Sequence, residues 1–222
     1  MKKFKSFLKE DSRLDDRLKS RLANLVFMPQ DKLKKPPYEK IEIFRDGWER
    51  ISLPTPPRED RELDAVIEAV ENATDQQIED YKLCDQNASY FIEKHLTDNN
   101  LAYDKKNIEF IEDQCVPVVR HYKNHFNRPR PYQVAAVYNK QLNRYVSNTA
   151  KTPAYPSGHA MQPMVVALHY AKKYPKHKAE LIRGAKRCGY GRVIAGMHYP
   201  SDYDAGIELA QQIMDYMEHD KF

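Results

Sequence analysis

The chain has 222 residues, 41% of them hydrophobic, so it is long enough for one well-buried core and too short for two ordinary domains. Mean hydropathy is −0.80, 31% of the residues are charged, and the absence of an apolar run near twenty residues excludes a membrane-spanning chain. The net charge is only +4, with the basic excess in residues 1–50. So mild an excess is typical of solvated helix faces, and we expect no nucleic-acid partner.

The N-terminal residues begin with lysines, as a secretory signal does, but charges recur every few residues and leave no apolar segment for export. We therefore expect a soluble protein in the cytoplasm. The three cysteines form no CxxC pair, and an odd number without a signal argues against a disulfide framework or a zinc knuckle. We expect no metal site and three reduced core cysteines.

Apolar residues recur every three or four positions over most of the chain and glycine is scarce, which predicts an all-α protein. In chain order, helices are predicted over residues 4–27, 61–71, 76–96, 105–125, 176–194 and 203–217. Proline clusters at 36–37, 53–57 and 128–131 mark connections. The predicted architecture is a basic helical extension over residues 1–50 and a single helical bundle of five or six core helices over residues 51–222. The helix at 4–27 is expected to pack against the core or a second subunit, or to lie on a membrane surface.

Three short clusters carry unusual residues at predicted helix ends or in loops. They are Lys123–Pro131 (KNHFNRPRP), Tyr155–His159 (YPSGH) and Gly191–Asp202 (GRVIAGMHYPSD). Together they hold what metal-free phosphoryl transfer requires, namely fixed cations, backbone donors, a nucleophile and an acid. Lys123 offers a point charge, while Arg130 and Arg192 each offer a planar fork that can hold two phosphate oxygens.

Arg130 precedes Pro131, so it is predicted to project from a stiff, extended segment. Arg128 also precedes a proline and, two residues away in an extended run, is expected to point to the same side. It is therefore a second candidate for the phosphate site.

Ser157 and Gly158 precede a helical apolar run, and their amides could face an anion at that helix N-terminus. The simpler interpretation is a serine N-cap, which is compatible with the first. Pro163 lies inside the predicted helix and should kink it or delay its start.

His198 is the predicted nucleophile and His159 the predicted general acid, because imidazole titrates near neutral pH. Asp202, four residues after His198, could hold one ring N–H and direct the other nitrogen at phosphorus. The remaining histidines lack such neighbours and are predicted to be structural or solvated: His95, His121, His125, His169, His177 and His219.

The spacing Lys123-x6-Arg130-Pro131, Pro156-Ser157-Gly158-His159 and Arg192-x5-His198-x3-Asp202 resembles the three-part motif of the type 2 phosphatidic acid phosphatase and vanadium haloperoxidase superfamily. The Lys-to-Arg interval of that motif selects Arg130 over Arg128. Residues 155–159 and 191–206 look most like the soluble class A bacterial non-specific acid phosphatases, and the resemblance covers about residues 50–215.

The resemblance implies an all-helical fold in which a small phosphomonoester is hydrolysed without metal or cofactor through a phosphohistidine on His198. It implies that His159 protonates the leaving group and that Asp202 orients His198. The phosphate would be held by Lys123, Arg130, Ser157, Gly158 and Arg192. Vanadate is expected to inhibit, and a homo-oligomer would fit the resemblance. Gly191 departs from the family pattern, which usually has serine there.

Three alternatives follow from the same residues. A vanadium-dependent haloperoxidase would bind vanadate as a cofactor at this site, with His198 as its axial ligand. A peripheral lipid phosphate phosphatase would use residues 4–27 as an interfacial helix. A non-enzymatic protein of this fold would bind a phosphorylated partner without hydrolysing it.

Overall fold

The structure is a computed structural model, and it describes residues 25–34, 40–147 and 149–218. The predicted N-terminal helix therefore lies outside the described residues up to position 24, and residues 25–27 are not helical. His219 also lies outside the described residues.

The described residues contain eight α-helices and, apart from one isolated bridge, no β-structure, which confirms the all-α prediction. The helices are α1 (Leu63–Glu71), α2 (Asp75–Gln86), α3 (Tyr90–Asp98), α4 (Lys105–Phe126), α5 (Pro131–Val137), α6 (Gly158–Lys173), α7 (Lys178–Ile194) and α8 (Pro200–Ile213). Within these ranges, no helix is both long and apolar enough to cross a lipid bilayer.

Helix α6 lies at the centre and packs against α4, α7 and α8. Its buried residues lie on several sides of the helix, as expected for a helix surrounded by others. They are Ala160, Met161, Pro163, Met164, Val165, Val166, Ala167, Tyr170 and Ala171. The N-terminal end of this buried helix carries Gly158 and His159.

Helix α4 follows the sequence prediction closely. Asp104 caps its start by accepting a hydrogen bond from the Lys106 amide at 2.9 Å. The predicted apolar stripe, which consists of Ile108, Ile111, Cys115, Val118 and Tyr122, is buried. At the other end Asn127 adopts a left-handed conformation with φ 46°, which ends the helix and leads into the proline-rich segment.

Two helix predictions were wrong in detail. The helix predicted over residues 76–96 is broken between α2 and α3, where the Asn87 side chain accepts a hydrogen bond from the Ser89 amide at 3.0 Å. Such a local side-chain bond competes with the helical ladder. Pro163 does not delay α6, which begins at Gly158, so of its two predicted effects only the kink stays a prediction. The count of five or six core helices is also too low, partly because the break yields two helices.

Part of the predicted N-terminal extension contacts the helical core. Ile43, Phe44 and Trp48 are buried in the main apolar cluster. The Glu218 amide donates to the Ile43 carbonyl at 2.8 Å, and Phe44 forms the isolated bridge with Met217. Residues 41–50 are thus joined to the C-terminal end of the bundle, while the domain division at residue 50 stays a prediction.

Helix α8 approaches the start of α6 closely at Gly206. A Cβ atom there would lie 2.5 Å from the Ser157 carbonyl oxygen and 2.8 Å from Ala160 Cβ. We expect Gly206→Ala to lower the free energy of unfolding by about 1–3 kcal/mol, because backbone must move to make room. Denaturant unfolding measures this change.

The matched control is Gly191→Ala in α7, where the nearest atom to an added Cβ is Tyr81 Cα at 3.5 Å. This change removes a helical glycine without a clash, so it should be neutral or stabilise by up to about 1 kcal/mol. Equal stability of the two variants would contradict the close approach at Gly206.

Candidate active site

A cavity of about 380 Å³ opens where the ends of α4, α6 and α7 meet. Its wall includes six of the eight predicted site residues: Lys123, Arg130, Gly158, His159, Arg192 and His198. Lys123 lies in the last turn of α4 and Arg192 in the last turn of α7, while Arg130 immediately precedes α5. Three segments far apart in sequence thus bring their cations to one cavity.

His198 lies between α7 and α8 and is held at both ring nitrogens. Its Nδ1 donates to Asp202 Oδ2 at 3.0 Å, and its Nε2 accepts from Arg130 Nη1 at 2.9 Å. Because a guanidinium can only donate, these contacts assign the proton to Nδ1 and the lone pair to Nε2. Burial lowers the pKa of His198 well below its ordinary value, and the neighbouring cations lower it further. The ring is therefore neutral, with its basic nitrogen on the Arg130 side.

Asp202 is fully buried near the start of α8. Its Oδ2 accepts from the Tyr199 amide at 2.9 Å as well as from His198, which fixes the carboxylate at the helix N-terminus. The carboxylate of Asp202 thus orients the His198 ring, the geometry that the His-x3-Asp spacing predicts.

Two of the cations, Lys123 and Arg130, are held by backbone carbonyls. The ammonium group of Lys123 donates to the carbonyl oxygens of Pro153 and Ala154. Arg130 Nε donates to the Thr152 carbonyl at 2.9 Å. Burial and the other cations lower the pKa of Lys123 well below its ordinary value, and burial lowers the pKa of Arg130 to about 10. The charges of Lys123 and Arg130 are therefore poorly compensated, so an anion in the cavity would be stabilised.

Arg192 is paired with Asp85 and donates to Thr149 Oγ1 at 3.0 Å. Its Nε is buried and, within the part of the chain that the structure describes, has no hydrogen-bond partner. The hydroxyl of Ser157 is equally buried and unpartnered there. Buried donors without partners are rare, and both belong to residues that the sequence assigned to phosphate binding.

The expectation that the Ser157 amide faces an anion is wrong. This amide donates to the Asp202 carbonyl at 2.8 Å, so it ties α6 to α8 and is not available to an anion. The hydroxyl is the donor that Ser157 retains. Gly158 lines the cavity.

His159 is half-buried on the cavity wall. Burial lowers the pKa of His159 well below its ordinary value, and the positive charges of Arg192, Lys123 and Arg130 lower it further. A bound dianion would offset these positive charges and raise the pKa of His159 again. The geometry therefore couples protonation of His159 to anion binding.

Arg128 does not line the cavity, so the expectation that it shares a side with Arg130 is wrong. Its guanidinium is buried and donates to Asp202 Oδ1 at 2.6 Å and to Glu62 Oε2 at 2.8 Å. The two carboxylates draw the side chain away from the cavity. Sequence reasoning missed Glu62 and Asp85 altogether, since each contacts its arginine from a distant part of the chain.

The other described histidines lie off the cavity wall. His95 and His177, for example, contact each other at 3.0 Å between ring nitrogens. Among the described residues there is also no group of three or more His, Cys, Asp or Glu side chains placed to hold a metal ion.

Fold and site together define an all-α protein with a buried histidine facing a cationic cavity. Residues 113–211 match the PAP2 superfamily, and this segment contains every predicted site residue from Lys123 to Asp202. This part of the chain is therefore a PAP2 superfamily domain, which confirms the superfamily predicted from the motifs.

Two curated relatives resemble the chain in sequence. The non-specific acid phosphatase of Salmonella typhimurium is 34% identical over 86 residues, 38% of this chain and 33% of that protein. The acid phosphatase of Zymomonas mobilis is 33% identical over 88 residues, 40% of this chain and 33% of that protein. The matched segment thus spans about a third of the length of these relatives.

Among solved structures, the holo form of a bacterial vanadium-dependent chloroperoxidase resembles the chain with a TM-score of 0.60. The likeness covers 80% of this chain and 52% of that one at 16% identity. It establishes the helical fold.

Proposed function

We propose that the protein is a metal-independent phosphomonoester hydrolase that acts on small phosphorylated substrates in the cytoplasm. The observation that carries the proposal is the lone pair of His198 Nε2, held beside the cation Arg130 in a cavity that Lys123 and Arg192 also line. The similarity to two acid phosphatases supports the same reaction.

In the first step, the phosphate oxygens replace the present partners of the cations. Arg130 and Arg192 would each hold two oxygens, with Lys123, the Ser157 hydroxyl and the Gly158 amide as further donors. The Arg130 contact to His198 Nε2 is released as its guanidinium turns to the phosphate, which frees the lone pair to face phosphorus.

In the second step, His198 Nε2 attacks phosphorus, the bond to the leaving oxygen breaks, and His159 protonates that oxygen. The Nδ1 proton stays shared with Asp202, whose charge stabilises the positive ring. In the third step, His159 accepts a proton from water, the hydroxide displaces His198, and inorganic phosphate leaves.

The three cations supply the positive charge that a metal ion supplies in other phosphatases. We therefore expect vanadate to inhibit by occupying the phosphate position. The chloroperoxidase likeness rests on fold at low identity, whereas the two curated relatives described above are named as acid phosphatases, so hydrolysis is the function proposed.

The test is hydrolysis of p-nitrophenyl phosphate between about pH 5 and 7.5, because the lowered pKa of His198 leaves its ring neutral at least in the upper part of this range. We expect activity that EDTA does not reduce and that vanadate inhibits competitively. Loss of activity in EDTA, restored by a divalent cation, would contradict the metal-independent mechanism. Halide oxidation after vanadate loading, without hydrolysis, would favour the peroxidase.

A further inference from the structure

Behind the site, Arg128 bridges two carboxylates. Nη1 donates to Asp202 Oδ1 at 2.6 Å, and Nη2 donates to Glu62 Oε2 at 2.8 Å. The guanidinium also lies over the Tyr199 ring, 4.1 Å from its centroid. Arg128 is 2% exposed and Asp202 is fully buried, so this charge pair is shielded from water.

Glu62 holds the outer side of this arrangement. Its Oε1 accepts from the Ser201 amide at 2.9 Å, and its Oε2 accepts from the Ser201 hydroxyl at 2.6 Å. That hydroxyl in turn accepts from Arg128 Nη1 at 2.8 Å. Glu62 thus fixes both the arginine and the first turn of α8, which carries Asp202.

The two carboxylate oxygens of Asp202 therefore have different partners. Oδ1 is occupied by Arg128, which leaves Oδ2 for His198 Nδ1 and the Tyr199 amide. We propose that Arg128, held by Glu62, is a positioning residue that fixes the Asp202 carboxylate and thereby keeps the His198 lone pair on Nε2. This inference rests on the proposed function, because the lone pair matters only if His198 attacks phosphorus.

Arg128 contacts Asp202 and not the His198 ring, and its positive charge acts on the ring alongside those of other charged groups. These groups come from the segment before α5, from α4, from α7 and from α8: Arg130, Lys123, Arg192 and Asp202. A lysine at position 128 keeps a positive charge but has no fork with which to bridge two carboxylates. The substitution Arg128→Lys therefore separates the effect of the positive charge from the effect of bridging Asp202 and Glu62.

The experiment compares Arg128→Lys and Glu62→Gln with the wild type in the full chain. Arg187→Lys is the matched control, because Arg187 makes a two-pronged pair with Asp80 away from the cavity. Rapid-quench kinetics with p-nitrophenyl phosphate measure phosphoenzyme formation, and inorganic phosphate as an inhibitor measures binding. Nitrogen NMR of the histidine rings reports the tautomer of His198, assigned with a His198→Gln variant.

For Arg128→Lys we expect phosphoenzyme formation to slow by about 10- to 100-fold, since small misplacements of reacting groups are that costly. Inhibition by phosphate should stay within about twofold of wild type, as the cavity cations are unchanged. The His198 signals should become averaged between the two tautomers. Glu62→Gln should show the same pattern more weakly, and Arg187→Lys should match the wild type.

An unchanged rate and tautomer in Arg128→Lys would overturn the proposal. So would a parallel loss of stability, phosphate binding and rate with the tautomer intact, which would assign a structural role. If Arg128→Lys does not fold, Glu62→Gln decides by the same two readouts. If the wild type does not hydrolyse the substrate, the proposed function fails, and the tautomer still decides whether Arg128 positions His198.

Discussion

Replacing His198 with alanine is expected to abolish the phosphoenzyme and to lower kcat by about four orders of magnitude or more, as for other covalent nucleophiles. The reason is that the His198 Nε2 atom carries the lone pair and lies beside Arg130, because Asp202 holds the proton on Nδ1. No group in the variant could replace that nitrogen in the same place. Rapid-quench and steady-state kinetics measure the two losses.

His177→Ala is the matched control for this change. His177 contacts His95 and lies away from the cavity, so its loss should leave kcat and the phosphoenzyme at the wild-type level. Phosphoenzyme formation that persists in His198→Ala would assign the nucleophile to another residue.

Replacing His159 with alanine is expected to have an effect that depends on the leaving group. With an alkyl phosphate, whose alkoxide must be protonated, kcat/KM should fall by about 10²- to 10⁴-fold. With p-nitrophenyl phosphate the leaving phenolate is stable as an anion, so formation of the phosphoenzyme should slow far less. Comparing the two substrates isolates the acid role of His159.

The same variant tests the second role of His159. Because water would then lack its base, the phosphoenzyme formed from p-nitrophenyl phosphate should accumulate, seen as a burst of p-nitrophenol before slow turnover. Equal losses on both substrates, without a burst, would contradict the assignment of His159 as acid and base.

The sequence predicted those features that depend on local patterns. The apolar stripe of α4 has a helical period, and burial follows from that period once the helix has a core to face. The candidate site residues were predicted from motifs that place basic residues, histidines and a proline at fixed intervals. Only the fold, however, shows that Lys123, Arg130 and Arg192 reach one cavity.

Features that depend on distant pairs could not be predicted. Asp85 meets Arg192 across more than a hundred positions, and Glu62 meets Arg128 across more than sixty, so neither pair leaves a local signal. The prediction that Arg128 points to the same side as Arg130 was wrong for this reason. The direction of the Arg128 side chain is set by its contacts with Glu62 and Asp202. The Ser157 amide was misjudged likewise, since its partner is the carbonyl of Asp202 on another helix.

The proposed mechanism depends above all on the transfer of a phosphoryl group to His198. The most direct test quenches the full chain in alkali during turnover of p-nitrophenyl phosphate, because phosphohistidine survives alkali, and locates the modification by peptide mass spectrometry. We predict one added phosphoryl group, on the peptide that contains His198. A sample quenched without p-nitrophenyl phosphate should carry none. A phosphoryl group on any other residue, or turnover with no covalent intermediate under conditions in which product forms in a burst, would contradict it.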